Sequence, residues 1–242
     1  MSAPQNVFTG SYFEQDARWS AVDAYTISHL DKTSAPIHDA LQSALANSIK
    51  RGLPDISSFP TQSKFIALQC RIGKVQHALE VGTLGGYTSI WIASQNPSIR
   101  ITTVEIDPKH AEVARENIRL AGVADRVDVV LGAGLDVLPK LLAEVEAGSR
   151  PRYGFTFIDA DKLNNAAYFD LAVKMSLPSG TVYVDNIVQK GRLAAEGETH
   201  AEGVVGARKV VEQAGKDQRV DAVVLQTVNE KNYDGFLLAV VK

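Results

Sequence analysis

The sequence of 242 residues contains one cysteine, Cys70, so no disulfide can form within the chain. That usage leads to the expectation of a reducing compartment, the cytoplasm. Cys70 sits in the apolar run FIALQC and reads as a small core hydrophobe. No apolar run approaches the ~20 residues of a membrane span. The first fifteen residues, MSAPQNVFTGSYFEQ, show neither a basic nor an apolar stretch, so no secretory signal is expected. An excess of one charge is missing too. The 25 Lys and Arg nearly balance 28 Asp and Glu, for a net charge of −3, which gives no field to gather nucleic acid. The five histidines include no pair at metal-ligand spacing, and neither a G-x-S-x-G elbow nor a Walker A sequence occurs. His77 begins a strand and reads as structural. Disulfide scaffolds, membrane spans, basic nucleic-acid binders and the common nucleophile and P-loop enzymes are thereby set aside.

What is present is ordinary globular composition, 45% hydrophobic and 22% charged. The length suits a single α/β domain, residues 1–242, with residues 1–57 as an N-terminal helical extension. Helical patterning runs from about Arg18 to Lys50, broken near DKTSAP, where Pro36 disfavours helix at the residue before it. RGLPDISSFP is a loop, and TQSKFIALQCRIG resumes a helix that Gly73 can end. Beyond it, short β-branched runs alternate with helical stretches: HALEVG, ITTVEI, RVDVVLG, FTFIDA, TVYVDN, AVVLQTV and GFLLAVV. This order predicts a Rossmann-like, doubly wound sheet of seven strands with helices on both faces. The last two runs are joined by NEKNYDG, too short for a crossover helix, so the sheet is mostly parallel with an antiparallel C-terminal strand.

Ligands of such sheets bind outside the carboxyl ends of the strands. Five strand ends here carry a glycine turn or a carboxylate: LEVGTLGG, TTVEID, VVLGAG, TFIDADK and VYVDN. In EVGTLGG, Gly82, Gly85 and Gly86 allow turns and close backbone approach to a ligand. The pattern is E-x-G-x-x-G-G rather than G-x-G-x-x-G, so it lacks the glycine that admits a pyrophosphate and suits a nucleoside without phosphates. Glu105, ending the next strand, is placed for two ribose hydroxyls.

ALEVGTLGGYTSIWIA resembles the first motif of class I S-adenosylmethionine-dependent methyltransferases, and TTVEIDPKHAEVARENIRLAGVADRVDVVLGAGLDVLP resembles the two segments that follow it. FIDADK and YVDN resemble the metal site of the cation-dependent O-methyltransferases, the caffeoyl-CoA and catechol O-methyltransferase-like enzymes, over about residue 59 to the C-terminus. The resemblance implies that Glu80, Gly82, Thr83 and Thr88 line the methionine end of S-adenosylmethionine. Glu105 would hold the ribose, Gly134 would lie near the adenine, Asp161 would point toward the cofactor, and Ser58 would close over it. Asp159, Asp185 and Asn186 match the three metal positions. Oxygen-only ligands suit Mg²⁺ first, then Mn²⁺ or Ca²⁺, and not zinc. Three protein ligands leave about three positions of an octahedron, two of which a vicinal diphenol can fill. Such an ion lowers the pKa of a bound hydroxyl, and the phenolate attacks the sulfonium methyl.

The resemblance makes Lys162 the general base, with Asp159 beside it, and a neighbouring dication would depress its pKa. The partners expected are a small aromatic diol and a second copy of the chain, with neither nucleic acid nor membrane. The rival enzyme reading, an NAD(P)-dependent oxidoreductase, predicts G-x-G-x-x-G and leaves the strand-end Asp-Asn unused; a non-catalytic cofactor binder predicts lost ligands. One departure stands out: relatives read DN-x-x-W, whereas Gln189 occupies the aromatic position here, so the pocket wall is expected to differ. Tyr12, Phe13 and Trp19 suit a lid, a dimer contact or an amphipathic helix face.

Overall fold

The computed structural model describes residues 16–197, 200–229 and 231–242, so Tyr12 and Phe13 lie outside the described residues. Helix α1 (Ala17–Leu30) starts at Asp16, whose side chain accepts from the Arg18 N–H, and buries no residue. Trp19 sits on this helix, half-buried. Helix α2 (Ala35–Lys50) carries Pro36 in its first turn, where a missing N–H costs nothing. Residues 1–57 therefore contain two unlike helices. Leu41 and Ala44 of α2 enter the core, while α1 stays outside it. Helix α3 (Pro60–Ile72) ends at Gly73, but Gly73 keeps right-handed helical geometry, and Lys74 takes the positive φ of 49°.

From there strands and helices alternate: β1 (His77–Val81), α4 (Tyr87–Gln95), β2 (Arg100–Glu105), α5 (Pro108–Leu120), β3 (Val127–Leu131), α6 (Gly134–Glu146) and β4 (Tyr153–Ile158). A 3-10 turn over Lys162–Asn164 leads into α7 (Asn165–Met175), followed by β5 (Ser176–Val184), a second 3-10 segment at Gln189–Ala194, α8 (Glu202–Lys216), β6 (Val220–Val228) and β7 (Tyr233–Val241). Strand β5 starts five residues before the expected TVYVDN run, across a register irregularity between the Tyr153 and Phe155 pairings.

The seven strands lie in the order β3-β2-β1-β4-β5-β7-β6. Pairings among β1 to β5 are parallel, and β7 inserts antiparallel between β5 and β6. The sheet has a core on each face. Leu79, Ile158 and Val184 pack with α6, α7 and α8 on one side; Ile101, Phe155 and Tyr183 pack with α2 to α5 on the other. Each fully buried aliphatic chain contributes roughly 1.5–3 kcal/mol relative to exposure. Cys70 is buried in the second of these cores, and burial pushes its thiol up to about 12, so it is a core residue and not a reactive thiol. His77 stands at the start of β1, at the end of the strand away from the glycine turn.

Candidate active site

The strand tips are latched to one another by backbone. Gly132 N donates to Glu105 O at 2.8 Å, Gly82 N to Val104 O at 2.9 Å, Asp159 N to Val81 O at 2.8 Å, and Asp185 N to Ile158 O at 2.9 Å. Each is the first residue past its strand bonding the end of the neighbouring one. Gly82 has φ of +99°, and a Cβ there would fall 2.2 Å from the Asp159 carbonyl oxygen. The glycine is thus demanded by protein packing as well as by ligand approach. Gly85 is similar, since its Cβ would meet Ser48 Oγ at 2.2 Å.

Above these tips lies a cavity of about 1030 Å³, of the size that holds a nucleoside and a small acceptor. Every residue selected from the sequence lines it: Ser58, Glu80, Gly82, Thr83, Thr88, Glu105, Gly134, Asp159, Asp161, Lys162, Asp185 and Asn186.

On the β1–β2 side, neutral donors hold the carboxylates. Glu80 Oε2 accepts from Ser89 Oγ and Thr103 Oγ1, both at 2.6 Å. Burial nevertheless pushes the Glu80 carboxyl up to about 7. Glu105 Oε2 accepts from the N–H groups of Thr83 (3.1 Å) and Leu84 (2.8 Å), and Oε1 from that of Asp107 (2.9 Å). Three of about four acceptor sites are used, so Glu105 shapes the glycine loop and keeps capacity for a hydroxyl. Thr88 Oγ1 donates to Ser58 Oγ at 3.3 Å, which brings the loop before α3 against α4. Asp161 accepts from Asn164 Nδ2 and Tyr168 OH, both at 2.5 Å, and a Cβ on Gly134 would meet the Tyr168 ring at 2.7 Å. Asp161, Tyr168 and Gly134 so form one wall.

On the β4–β5 side, charges are crowded. Lys162 Nζ lies 2.6 Å from Asp159 Oδ1. Asp185 Oδ1 accepts from Gln62 Nε2 at 2.8 Å and from its neighbour Asn186 N at 2.9 Å. Burial, then the like charge of Asp159, pushes the Asp185 carboxyl up. For Lys162, burial opposes the ammonium, but the attraction of Asp159 and Asp185 outweighs it and raises its pKa. In the protein alone Lys162 is therefore held protonated; the depressed lysine expected beside a dication belongs to the cation-bound state. Among the described residues no three His, Cys, Asp or Glu side chains group as a metal centre would. The candidate donor set is two carboxylates and the Asn186 amide.

Some contributors carried no sequence signal. Gln62 is one; Tyr168, Ser89 and Thr103 are others, reaching the site only through the fold. Asp234, buried at the start of β7, accepts from Gln189 N and Gly235 N at 2.9 Å each and adds its charge near Lys162. Gln189 is not on the cavity wall: it is buried, with Nε2 donating to Asn186 O at 2.6 Å. The departure from the aromatic pattern therefore braces the Asp-Asn turn from behind.

A family model described as O-methyltransferase matches residues 31–240. The O-methyltransferase imqG of Aspergillus flavus is 59% identical over 237 residues, covering 98% of this chain and 96% of that protein. The catechol O-methyltransferase of Mycobacterium tuberculosis is 41% identical over 222 residues, covering 91% and 95%. Among solved structures, the O-methyltransferase from Bacillus cereus in complex with SAH has a TM-score of 0.83 at 39% identity, covering 93% of this chain and 99% of that one.

Proposed function

This chain belongs to the O-methyltransferase family, and we propose that it transfers a methyl group from S-adenosylmethionine to one hydroxyl of a vicinal dihydroxy aromatic, of catechol, caffeoyl or flavonoid type, held at a divalent cation. The NAD(P)-dependent reading is set aside by that membership. One observation carries the proposal. The glycine loop with Glu105, and the crowded carboxylates of Asp159 and Asp185, open into the same cavity, joined at the Gly82–Asp159 contact. SAH in the Bacillus relative and the name of the mycobacterial relative agree with the two halves.

The residues present fit both groups. Glu105 retains acceptor capacity for a ribose hydroxyl, with Glu80, Gly82, Thr83 and Thr88 for the methionine end, Gly134 for the adenine, Asp161 facing the cofactor and Ser58 closing over it. Asp159, Asp185 and Asn186 offer only oxygen to a cation, as Mg²⁺, Mn²⁺ or Ca²⁺ requires. Asp234 adds a third carboxylate charge around the single Lys162 ammonium, so the group carries surplus negative charge. A divalent cation supplies a concentrated positive charge that favours the ionised form of a neighbouring hydroxyl. Lys162 Nζ is the catalytic group placed to accept the hydroxyl proton. It can do so only once the carboxylates that stabilise its ammonium are neutralised. The walls of the cavity hold donor and acceptor together, which supplies much of the rate.

The proposal extends to a homodimer in the cytoplasm. Exposed Val223 and Leu225 on edge strand β6 offer a surface to a second copy, and sedimentation at micromolar protein tests it. No helix among the described residues is long and apolar enough to cross a membrane. The functional test uses labelled S-adenosylmethionine with paired isomers. A 1,2-diphenol should be methylated once, and a 1,3-diphenol or monophenol far more slowly. Equal rates would refute chelation.

A further inference from the structure

We propose that Gln62 is a positioning residue for the cation site, holding the Asp185 carboxylate so that one oxygen is left to the cavity. The inference rests on the cation reading above. Gln62 stands third in α3, after Phe59 as N-cap and Pro60 and Thr61. A glutamine there commonly turns back to bond the N-cap N–H. Here it reaches across 123 positions of sequence to Asp185 instead. Its Nε2 has two hydrogens, and both are committed: to Asp185 Oδ1 at 2.8 Å and to Tyr183 OH at 3.1 Å.

Tyr183 gives this amide a fixed anchor. Its ring is fully buried and stacks on Phe236 at 4.3 Å between centroids. The second donor to Asp185 Oδ1 is Asn186 N, which lies in the same turn and moves with it. Gln62 is thus the donor that ties the carboxylate to a different layer of the fold. Among the described residues no side chain or N–H donates to Asp185 Oδ2. Asp185 lines the cavity with Asn186 and Asp159. Partners of this kind fix the orientation of a ligating group, and their loss typically weakens metal binding by about 10- to 100-fold.

The test is calorimetric titration of Mn²⁺, checked by the resonance signal of free Mn²⁺, alongside titration of S-adenosylhomocysteine and thermal melting. Gln62→Met keeps length and removes the donor. It should weaken Mn²⁺ binding by about 10- to 100-fold and leave affinity for S-adenosylhomocysteine unchanged. Tyr183→Phe, which frees the amide but spares its bond to Asp185, should show a smaller loss of Mn²⁺ affinity. Wild-type Mn²⁺ affinity in Gln62→Met overturns the proposal. So does a parallel fall of both affinities with the melting temperature, which marks a merely structural role. Should Gln62→Met not fold, unchanged Mn²⁺ binding in Tyr183→Phe overturns it. A wild-type protein that binds no Mn²⁺ overturns the cation reading as well, whereas wild-type binding with indifferent variants removes Gln62 alone.

Discussion

The two sides of the cavity organise their carboxylates by opposite means. At the β1–β2 end, Glu80 and Glu105 receive hydroxyl and backbone N–H donors at 2.6–3.1 Å. Their shape is set mainly by these neutral donors, with His110 Nδ1 3.7 Å from Glu105 Oε1 beside them. At the β4–β5 end, Asp159, Asp185 and Asp234 share the field of one ammonium, and burial makes the mutual repulsion more costly. The first side is pre-formed, and on the proposed reading it meets the sugar and methionine tail of the cofactor. The second crowds like charges, which is what the proposed cation would relieve. Adjacent strand tips of one sheet can thus host two kinds of recognition, because donors are local on one side and charges converge on the other.

The largest expected effect separates the halves outright. Exhaustive chelation should abolish turnover while S-adenosylhomocysteine still binds, and Mg²⁺ or Mn²⁺ should restore the rate. Full activity in chelator would place the methyl transfer wholly on the glycine-loop side. Next, Lys162→Met should lower kcat by about 10²–10⁴, with no weakening of Mn²⁺ binding, since it removes a competing positive charge. High pH should recover part of this loss, read from the pH–rate profiles of both proteins. A variant keeping the wild-type kcat and acidic limb would leave Lys162 as a strand-end ion pair.

Smaller effects belong to the pre-formed side. Glu105→Ala unties the N–H groups of Thr83, Leu84 and Asp107 as well as removing an acceptor for ribose. The loss of roughly 1–3 kcal/mol should appear as weaker cofactor binding by calorimetry, with kcat at saturation moved less. An unchanged dissociation constant contradicts it. The mildest test concerns stability. The Glu80 carboxyl is raised to about 7 by burial, above the 4.5 of a free glutamate side chain. Its stabilising contribution is complete below the unfolded value and is lost as pH rises through the folded one. The unliganded wild type should therefore lose melting temperature between about pH 4.5 and 7 more steeply than Glu80→Gln, by a few degrees. Parallel curves would show Glu80 to be ionised throughout.

The parts legible in the sequence were those written locally. A β-branched run ending in Glu, Asp or Asn-plus-Asp marks a strand and its tip together, and so the positions of Glu105, Asp159, Asp185 and Asn186 followed from pattern alone. The strand expected at TVYVDN proved longer at its start, because SLPSG forms the irregular beginning of β5, with Ser179 at φ of 61°. Contacts made across the fold left no trace in the spacing. Gln62, Tyr168 and Asp234 meet the site from α3, α7 and β7, and nothing near them in sequence announces it. The protonation of Lys162 belongs to the same class, since it depends on two carboxylates from different strands.

The 2.2 Å between a Cβ at position 82 and the Asp159 carbonyl sets the spacing of the two sides by main chain against main chain. Side-chain replacement around the cavity can alter which acceptor enters but cannot change that separation. A saturation library scored for turnover should accordingly tolerate nothing but glycine at 82, while positions 55–57, 229, 231 and 232, which also line the cavity, accept variety and shift acceptor range. For this scaffold, new substrates are a matter of rim composition, and the reach of the methyl group is inherited unchanged.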